Sequence, residues 1–153
     1  MANSSDVTWM GSWIRMRSLV VERVEAGLLD TSVVIDLDII DADLLPLTVG
    51  VSAITMAELA AGPTATSDPA ERARRQDRLQ RAEAAFESIP FSAEAARAYG
   101  RVHAAVVASG RQPRRRFADL LIAATAVAEG LPVVTRNPGD FVGLEELLDI
   151  VEV

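Results

Sequence analysis

The chain has 153 residues, half of them apolar, which is enough for one substantial hydrophobic core and too little for two ordinary domains. It contains no cysteine, so disulfide bonds, thiol nucleophiles and thiolate metal sites are excluded, and a cytoplasmic location is expected. The formal net charge is −7, and all 15 basic residues are arginines. Because the overall field repels polyanions, any RNA or DNA site needs a local basic patch or bridging cations.

The first 26 residues differ in composition from the rest of the chain. They contain both tryptophans, Trp9 and Trp13, in an apolar stretch that two arginines interrupt. The stretch is too short and too charged for a membrane span, and it lacks the features of a secretory signal, so no membrane association is expected. We expect residues 1–26 to form an arm that packs on the domain or on a partner, with a later start at Met16 as the alternative. The domain then occupies residues 27–153.

Beyond this arm, apolar runs alternate with helical patterns. The predicted strands are, in chain order, a run that ends near Asp30, residues 47–55, a short run near 89–91, residues 132–135 and a last run within 147–153. The predicted helices are a short acidic one within 36–46, one from Thr55 to Gly62, one from an Asp68 cap to about residue 87, one from a Ser92 cap to Gly110, and one that contains Asp119 and ends at Gly130. This alternation predicts a three-layer α/β domain, in which helices cover both faces of a central, mostly parallel sheet.

Four carboxylates fall near the predicted carboxyl ends of strands, where parallel α/β sheets form their sites. They are Asp30, Glu58, Asp119 and Asp140. Each alone has a structural explanation. Asp30 and Asp140 could cap helices, and Asp119 could interact with a helix dipole. Glu58 has the spacing of a capping box with Thr55, which would place it in the first turn of its helix.

Taken together, the four carboxylates indicate a metal site. Three of them are flanked by apolar residues, where an unpaired charge is costly. If they met within about 5 Å, each ionised pair would repel by roughly 3 kcal/mol at an effective dielectric near 20, so protons or cations must neutralise them. Oxygen ligands without histidine or cysteine suit Mg²⁺ or Mn²⁺. Two such ions about 4 Å apart can promote phosphodiester hydrolysis.

Four motifs carry a family resemblance: "LLDTSVVI", "AELAAG", "RFADLLIAATA" and "TRNPGDF". They occur in the order and approximate spacing of the PIN-domain ribonucleases and look most like the VapC-type toxins of bacterial type II toxin–antitoxin modules. The resemblance covers about residues 27–153 and implies a PIN-like fold. It also assigns the catalytic and metal-binding acids and two polar neighbours of the metal site. The acids are Asp30, Glu58, Asp119 and Asp140, and the neighbours are Thr31 and Asn137.

The resemblance further implies an activity and partners. The expected activity is Mg²⁺-dependent endoribonuclease cleavage of cellular RNA, with Mn²⁺ as a possible substitute, which slows translation and growth. A VapB-type antitoxin would silence it, often by inserting an arginine among the carboxylates, and a homodimer is expected.

The helix at 68–87 carries both signs of charge, which is typical of a solvated helix, but it could also help form the dimer and the antitoxin groove. The arm at 1–26 departs from the family, whose members usually begin only a few residues before the first aspartate.

Three consecutive arginines, Arg114, Arg115 and Arg116, directly precede the helix of Asp119. They could hold RNA phosphates at the edge of the acidic site, or they could form a solvated loop in which one arginine pairs with an acid. If the helix extends backward, the residues three and four before Asp119 share its face. The sequence leaves both interpretations open.

Two other functions remain as alternatives. One is a catalytically inactive PIN-like module that binds RNA or protein. The other is a haloacid-dehalogenase-type phosphatase, suggested by "IDLDII", although the threonine expected two residues after the second aspartate is Ile40. The single histidine, His103, lies on a helix rich in alanine and valine and is expected to be structural.

Overall fold

The computed structural model describes residues 23–153, and the predicted arm at 1–26 therefore lies almost wholly outside the described residues. Within residues 23–153 there are five strands: β1 (Ala26–Leu29), β2 (Thr48–Ser52), β3 (Ser88–Ile89), β4 (Val133–Thr135) and β5 (Ile150–Glu152). The same range contains five α-helices: α1 (Thr31–Ile35), α2 (Ala53–Ala61), α3 (Pro69–Ala85), α4 (Ala93–Ala108) and α5 (Phe117–Glu129).

 Single 3₁₀ turns lie at Ala42–Leu44, Pro63–Ala65, Pro113–Arg116 and Pro138–Phe141.

The strands form one wholly parallel sheet in the order β3-β2-β1-β4-β5. The central strand is β1, in which Leu29 is in register with Val51 of β2 on one side and with Val134 of β4 on the other. Because all strands run in the same direction, their carboxyl ends meet at one edge of the sheet. The predicted parallel α/β sheet is therefore confirmed.

The two faces of the sheet are covered by separate hydrophobic cores. Successive strand residues point to opposite faces, so Leu28 belongs to the core under α4 and α5, whereas Leu29 belongs to the core under α1, α2 and α3. Both leucines are fully buried. In α5, the small residues Ala123, Ala124 and Ala126 are also fully buried, which lets this helix lie close to its neighbours. The predicted three-layer arrangement is confirmed.

Helices α3, α4 and α5 begin or end at capping residues that the sequence predicts. The side chain of Asp68 accepts hydrogen bonds from the first turn of α3, and Ser92 accepts one from Ala95 N (3.1 Å) at the start of α4, as predicted. Helix α5 ends at Gly130, whose φ of 67° lies in the left-handed region that favours glycine. None of the helices between residues 23 and 153 combines the length and apolar character that a membrane span requires.

The predicted helix within 36–46 is wrong. Helix α1 ends at Ile35, and the segment then contains only the 3₁₀ turn Ala42–Leu44. Its apolar side chains do not form one buried helical face: Leu37, Ile40 and Leu45 pack against the core under α1, α2 and α3, whereas Ile39 is 75% exposed and Leu44 is 58% exposed. A short helix with an incomplete buried face is marginal in water, and the side chain of Asp41 instead caps the 3₁₀ turn.

Candidate active site

Asp30 lies directly after β1 and begins α1. Its Oδ1 accepts a hydrogen bond from Thr31 N (2.8 Å), and its Oδ2 accepts bonds from Ser32 Oγ (2.9 Å) and Thr135 Oγ1 (2.8 Å). The side chain is buried, with the residue only 3% exposed. The carboxylate is therefore both a helix cap, as one interpretation predicted, and a rigidly held oxygen donor at the carboxyl edge of the sheet.

Sequence reasoning missed Ser32 and Thr135. Both lie within the quoted motifs, "LLDTSVVI" and "TRNPGDF", but their role depends on the pairing of β1 with β4. Thr135 is fully buried, and its hydroxyl also accepts a hydrogen bond from Asn137 N (3.0 Å). These two hydroxyls hold Asp30 in one orientation.

Glu58 lies in the second turn of α2, not in the first as predicted. The helix begins directly after β2, and its cap is Ser52, whose Oγ accepts a hydrogen bond from Thr55 N (3.1 Å). The predicted capping box of Thr55 with Glu58 is therefore wrong. Instead, Thr31 Oγ1 donates to Glu58 Oε1 (2.7 Å) and lies 3.0 Å from Thr55 Oγ1. Thr31 thus links the exposed Glu58 to the end of β1.

Asp119 lies in the first turn of α5, as predicted, and its side chain is partly buried. Partial burial, together with the negative charges of Asp30 and Glu58, raises the pKa of its carboxyl from 3.8 to about 6. The positive charge of Arg116 opposes this rise in pKa. The three carboxylates therefore share one electrostatic field, and we call Asp30, Glu58 and Asp119 the acidic cluster.

Asp140 follows β4 in the 3₁₀ turn Pro138–Phe141 and does not cap an α-helix. Its carboxylate forms an ion pair with Arg116, and both side chains are partly exposed. Asn137 lies at the start of this turn, where its carbonyl accepts a hydrogen bond from Asp140 N (3.0 Å). Arg116 therefore pairs with Asp140, and its positive charge also acts on Asp119.

The three consecutive arginines do not continue α5 backward. They belong to the 3₁₀ turn Pro113–Arg116, and the backbone of Arg116 (φ −136°, ψ 38°) separates this turn from the helix. Arg114 and Arg115 are exposed. Of the two interpretations from the sequence, the pairing of one arginine with an acid is therefore present, through Arg116 and Asp140.

The donor set of the acidic cluster fits a hard divalent cation. Carboxylate and hydroxyl oxygens are ligands that Mg²⁺ and Mn²⁺ accept. The pKa of Asp119, raised by partial burial and by the charges of Asp30 and Glu58, marks a carboxylate whose ionised form a cation would stabilise. Within residues 23–153, no three carboxylate or imidazole side chains form a ready-made metal cage. This arrangement suits Mg²⁺ better than zinc, because Mg²⁺ keeps several water ligands and commonly takes only one or two protein carboxylates.

The sheet order and the acids at its carboxyl edge define a PIN-like α/β domain. A sequence model of the family described as "PIN domain" matches residues 27–144. The chain is also 38% identical over 123 residues to Ribonuclease VapC5 of Mycobacterium tuberculosis, a match that covers 78% of this chain and 88% of that protein. The chain belongs to the PIN-domain family, and the resemblance drawn from its motifs is confirmed.

Solved structures agree with this assignment. The crystal structure of VapBC-5 from Mycobacterium tuberculosis, a member of the VapBC family of toxin–antitoxin systems, contains a chain that matches with a TM-score of 0.74 and 37% identity, over 84% of this chain and 98% of that one. A chain of FitAcB from Neisseria gonorrhoeae matches with a TM-score of 0.62 and 27% identity, over 82% of this chain and 96% of that one. The phosphatase alternative is therefore wrong.

Proposed function

We propose that the chain is a metal-dependent endoribonuclease that acts as the toxin of a type II toxin–antitoxin module. The observation that carries this proposal is the acidic cluster, in which Asp30, Glu58 and Asp119 share one field at the carboxyl edge of a PIN-domain sheet. The similarity to Ribonuclease VapC5 supports RNA as the substrate. An inactive binding module would have no need to keep these charges together against their mutual repulsion.

Asp30, Glu58, Asp119 and Asp140 are the residues that would hold Mg²⁺, with Mn²⁺ as a possible substitute. When bound, the metal supplies a positive charge that activates a water molecule and stabilises the phosphate oxygens. The protein's own contribution is orientation. Ser32 and Thr135 hold Asp30 in place, and Thr31 holds Glu58.

The arginines next to the acidic cluster are proposed to bind RNA phosphates. Arg116 pairs with Asp140 and its charge acts on Asp119, and Arg114 and Arg115 are exposed on the same turn. Guanidinium groups bind phosphates through charge-assisted hydrogen bonds, which resolves the conflict between a net charge of −7 and a polyanionic substrate. Asn137, at the start of the turn that carries Asp140, is a further proposed contact with the substrate.

The proposed partner is a VapB-type antitoxin that covers the acidic cluster. The related VapBC-5 structure is described as a member of a family of toxin–antitoxin systems, which supports this choice. An antitoxin arginine could neutralise the carboxylates in place of a metal. We also propose a homodimer, and action in the cytoplasm, because that is where cellular RNA is translated.

RNA cleavage by the purified full-length chain tests this function. We expect cleavage with Mg²⁺, none with EDTA, and a loss of at least about 100-fold in the Asp119→Asn variant. The matched control is Asp149→Asn, because Asp149 is an exposed aspartate that directly precedes β5. It therefore lies at the amino ends of the strands, whereas the acidic cluster lies at their carboxyl ends. Circular dichroism should show that both variants are folded.

Two results would contradict the proposal. If Asp119→Asn cut RNA as fast as the control, the acidic cluster would not be catalytic. If expression of the wild-type chain did not arrest growth, or if arrest persisted when an antitoxin gene was expressed with it, the toxin assignment would fail.

A further inference from the structure

A cavity of about 330 Å³ lies between the end of α4 and the start of α5. Arginines form one part of its lining and apolar side chains form another. We call it the arginine cavity, and its lining includes Arg111, Arg115, Arg116, Val106, Leu120 and Val142. Its volume is at the lower end of the range of about 300–1,000 Å³ that is usual for small-molecule sites. The space therefore suits a single small unit of a ligand.

The polar part of the arginine cavity is cationic. Among the described residues of its lining, Asp140 is the one acid, and it pairs with Arg116. Arg111 donates from Nη1 to a backbone carbonyl (2.8 Å) and acts on Glu145, whose pKa is lowered chiefly by backbone hydrogen bonds. Within residues 23–153, Arg115 forms no ion pair. In a protein with a net charge of −7, this excess of positive charge favours an anionic ligand.

A phosphate alone would leave the apolar part of the cavity lining without a contact. Val106 and Leu120 are buried, whereas Val142 is 42% exposed at the cavity. A flat nucleobase can pack against such a wall and against the planes of guanidinium groups, and the side-chain amide of Gln112, also in the lining, can pair with its edge. A base joined to a phosphate therefore uses both parts of the cavity.

The position of the cavity connects it to the acidic cluster. The lining includes Asp140, one of the four acids proposed to hold the metal, and Leu120, the residue that directly follows Asp119, so the cavity adjoins the proposed metal site. We propose that the arginine cavity binds one unpaired nucleotide of the RNA substrate adjoining the cleaved bond, with its phosphate on Arg115 and its base against the apolar wall. This inference rests on the proposed nuclease function, and it identifies the substrate strand as single-stranded at this point.

The test first finds a cleavable RNA and then removes its bases one at a time. Short single-stranded RNA of random sequence is incubated with the full-length chain and Mg²⁺, and the products are sequenced. The sequence that is cut most often is then synthesised with one abasic nucleotide at each position in turn. The KM for cleavage is measured for every substrate with the wild-type chain and with the variants.

We expect one abasic position next to the cut to raise KM about tenfold, because the apolar burial and the hydrogen bonds of that base are lost. Arg115→Ala and Gln112→Ala should have a raised KM on the intact RNA and little further effect from that abasic position. Arg101→Ala is the matched control, since Arg101 is exposed on α4 and is not part of the described cavity lining. It should keep the full effect of the abasic position.

Other outcomes overturn the inference and locate the error. If the wild-type chain cuts RNA but every abasic position has the same effect, the cavity binds no base, and the nuclease function still stands. If Arg115→Ala changes only inhibition by the antitoxin, the cavity belongs to the protein partner. If no RNA in the random pool is cut, the nuclease proposal fails and this inference fails with it.

Discussion

Replacing Asp119 by asparagine should stabilise the metal-free protein at neutral pH even though it abolishes cleavage. The carboxyl of Asp119 has its pKa raised from 3.8 to about 6 by partial burial and by the charges of Asp30 and Glu58. A rise of about two pKa units corresponds to roughly 3 kcal/mol. Because Asp119 is only partly buried, solvent screening reduces this, and we expect a gain of about 1–2 kcal/mol in the free energy of unfolding.

The direction of the pH dependence follows from proton binding. Between about pH 4 and pH 6, the folded state holds the Asp119 proton more tightly than the unfolded state does. The contribution of this group to stability is therefore highest at low pH and is lost as pH rises through about 6. The asparagine variant does not lose stability in this way as pH rises. Its free energy of unfolding should therefore exceed that of the wild-type chain by a large amount near pH 7 and by a small amount near pH 4.

Thermal unfolding in EDTA measures this effect. For a chain of this size, a gain of 1–2 kcal/mol corresponds to a rise in Tm of about 3–6 °C near pH 7. Asp149→Asn is the control for removing one negative charge, and it should change Tm little. An equal or lower Tm for Asp119→Asn in EDTA near pH 7 would refute the reasoning from charge repulsion.

The other predictions concern the metal, Thr135 and Arg116. The apparent affinity for Mg²⁺, measured by the rise in Tm, should fall below about pH 6, because protonation of Asp119 competes with the metal. Thr135→Val should cost about 1–3 kcal/mol in denaturant unfolding and lower kcat, because the buried Asp30 loses a hydrogen-bond donor. Arg116→Ala should raise KM for RNA, and in EDTA it should move the pH midpoint of the Asp119 effect upward, because an opposing charge is gone.

The sequence predicts the positions of Asp30 and Asp119 because local signals mark them. Asp30 ends a short apolar strand, and Asp119 follows the start of a helix that ends at Gly130. The sequence predicts Glu58 in the first turn of its helix rather than in the second, because two capping patterns overlap. Ser52 and Thr55 are both suitable caps, and the choice between them depends on where β2 ends, which pairing with its neighbouring strands decides.

Contacts between distant parts of the chain could not be read from the sequence. The hydrogen bond from Thr135 to Asp30 joins residues 105 positions apart and exists because β4 lies beside β1. The ion pair of Arg116 with Asp140 depends on how the turns before α5 and after β4 meet. Composition and periodicity predict the elements, but they do not specify which side chains of two turns come into contact.

The acidic cluster is compatible with a stable fold because its three members are buried to different degrees. Asp30 is buried, but three hydrogen bonds satisfy its oxygens, whereas Glu58 is exposed and can use water. Asp119 lies between these extremes, and its pKa is raised. The ionised form of Asp119 is therefore unfavourable in the folded protein, and a bound cation would recover that free energy. For this reason, Asp119→Asn should raise the stability of the metal-free protein while it removes RNA cleavage.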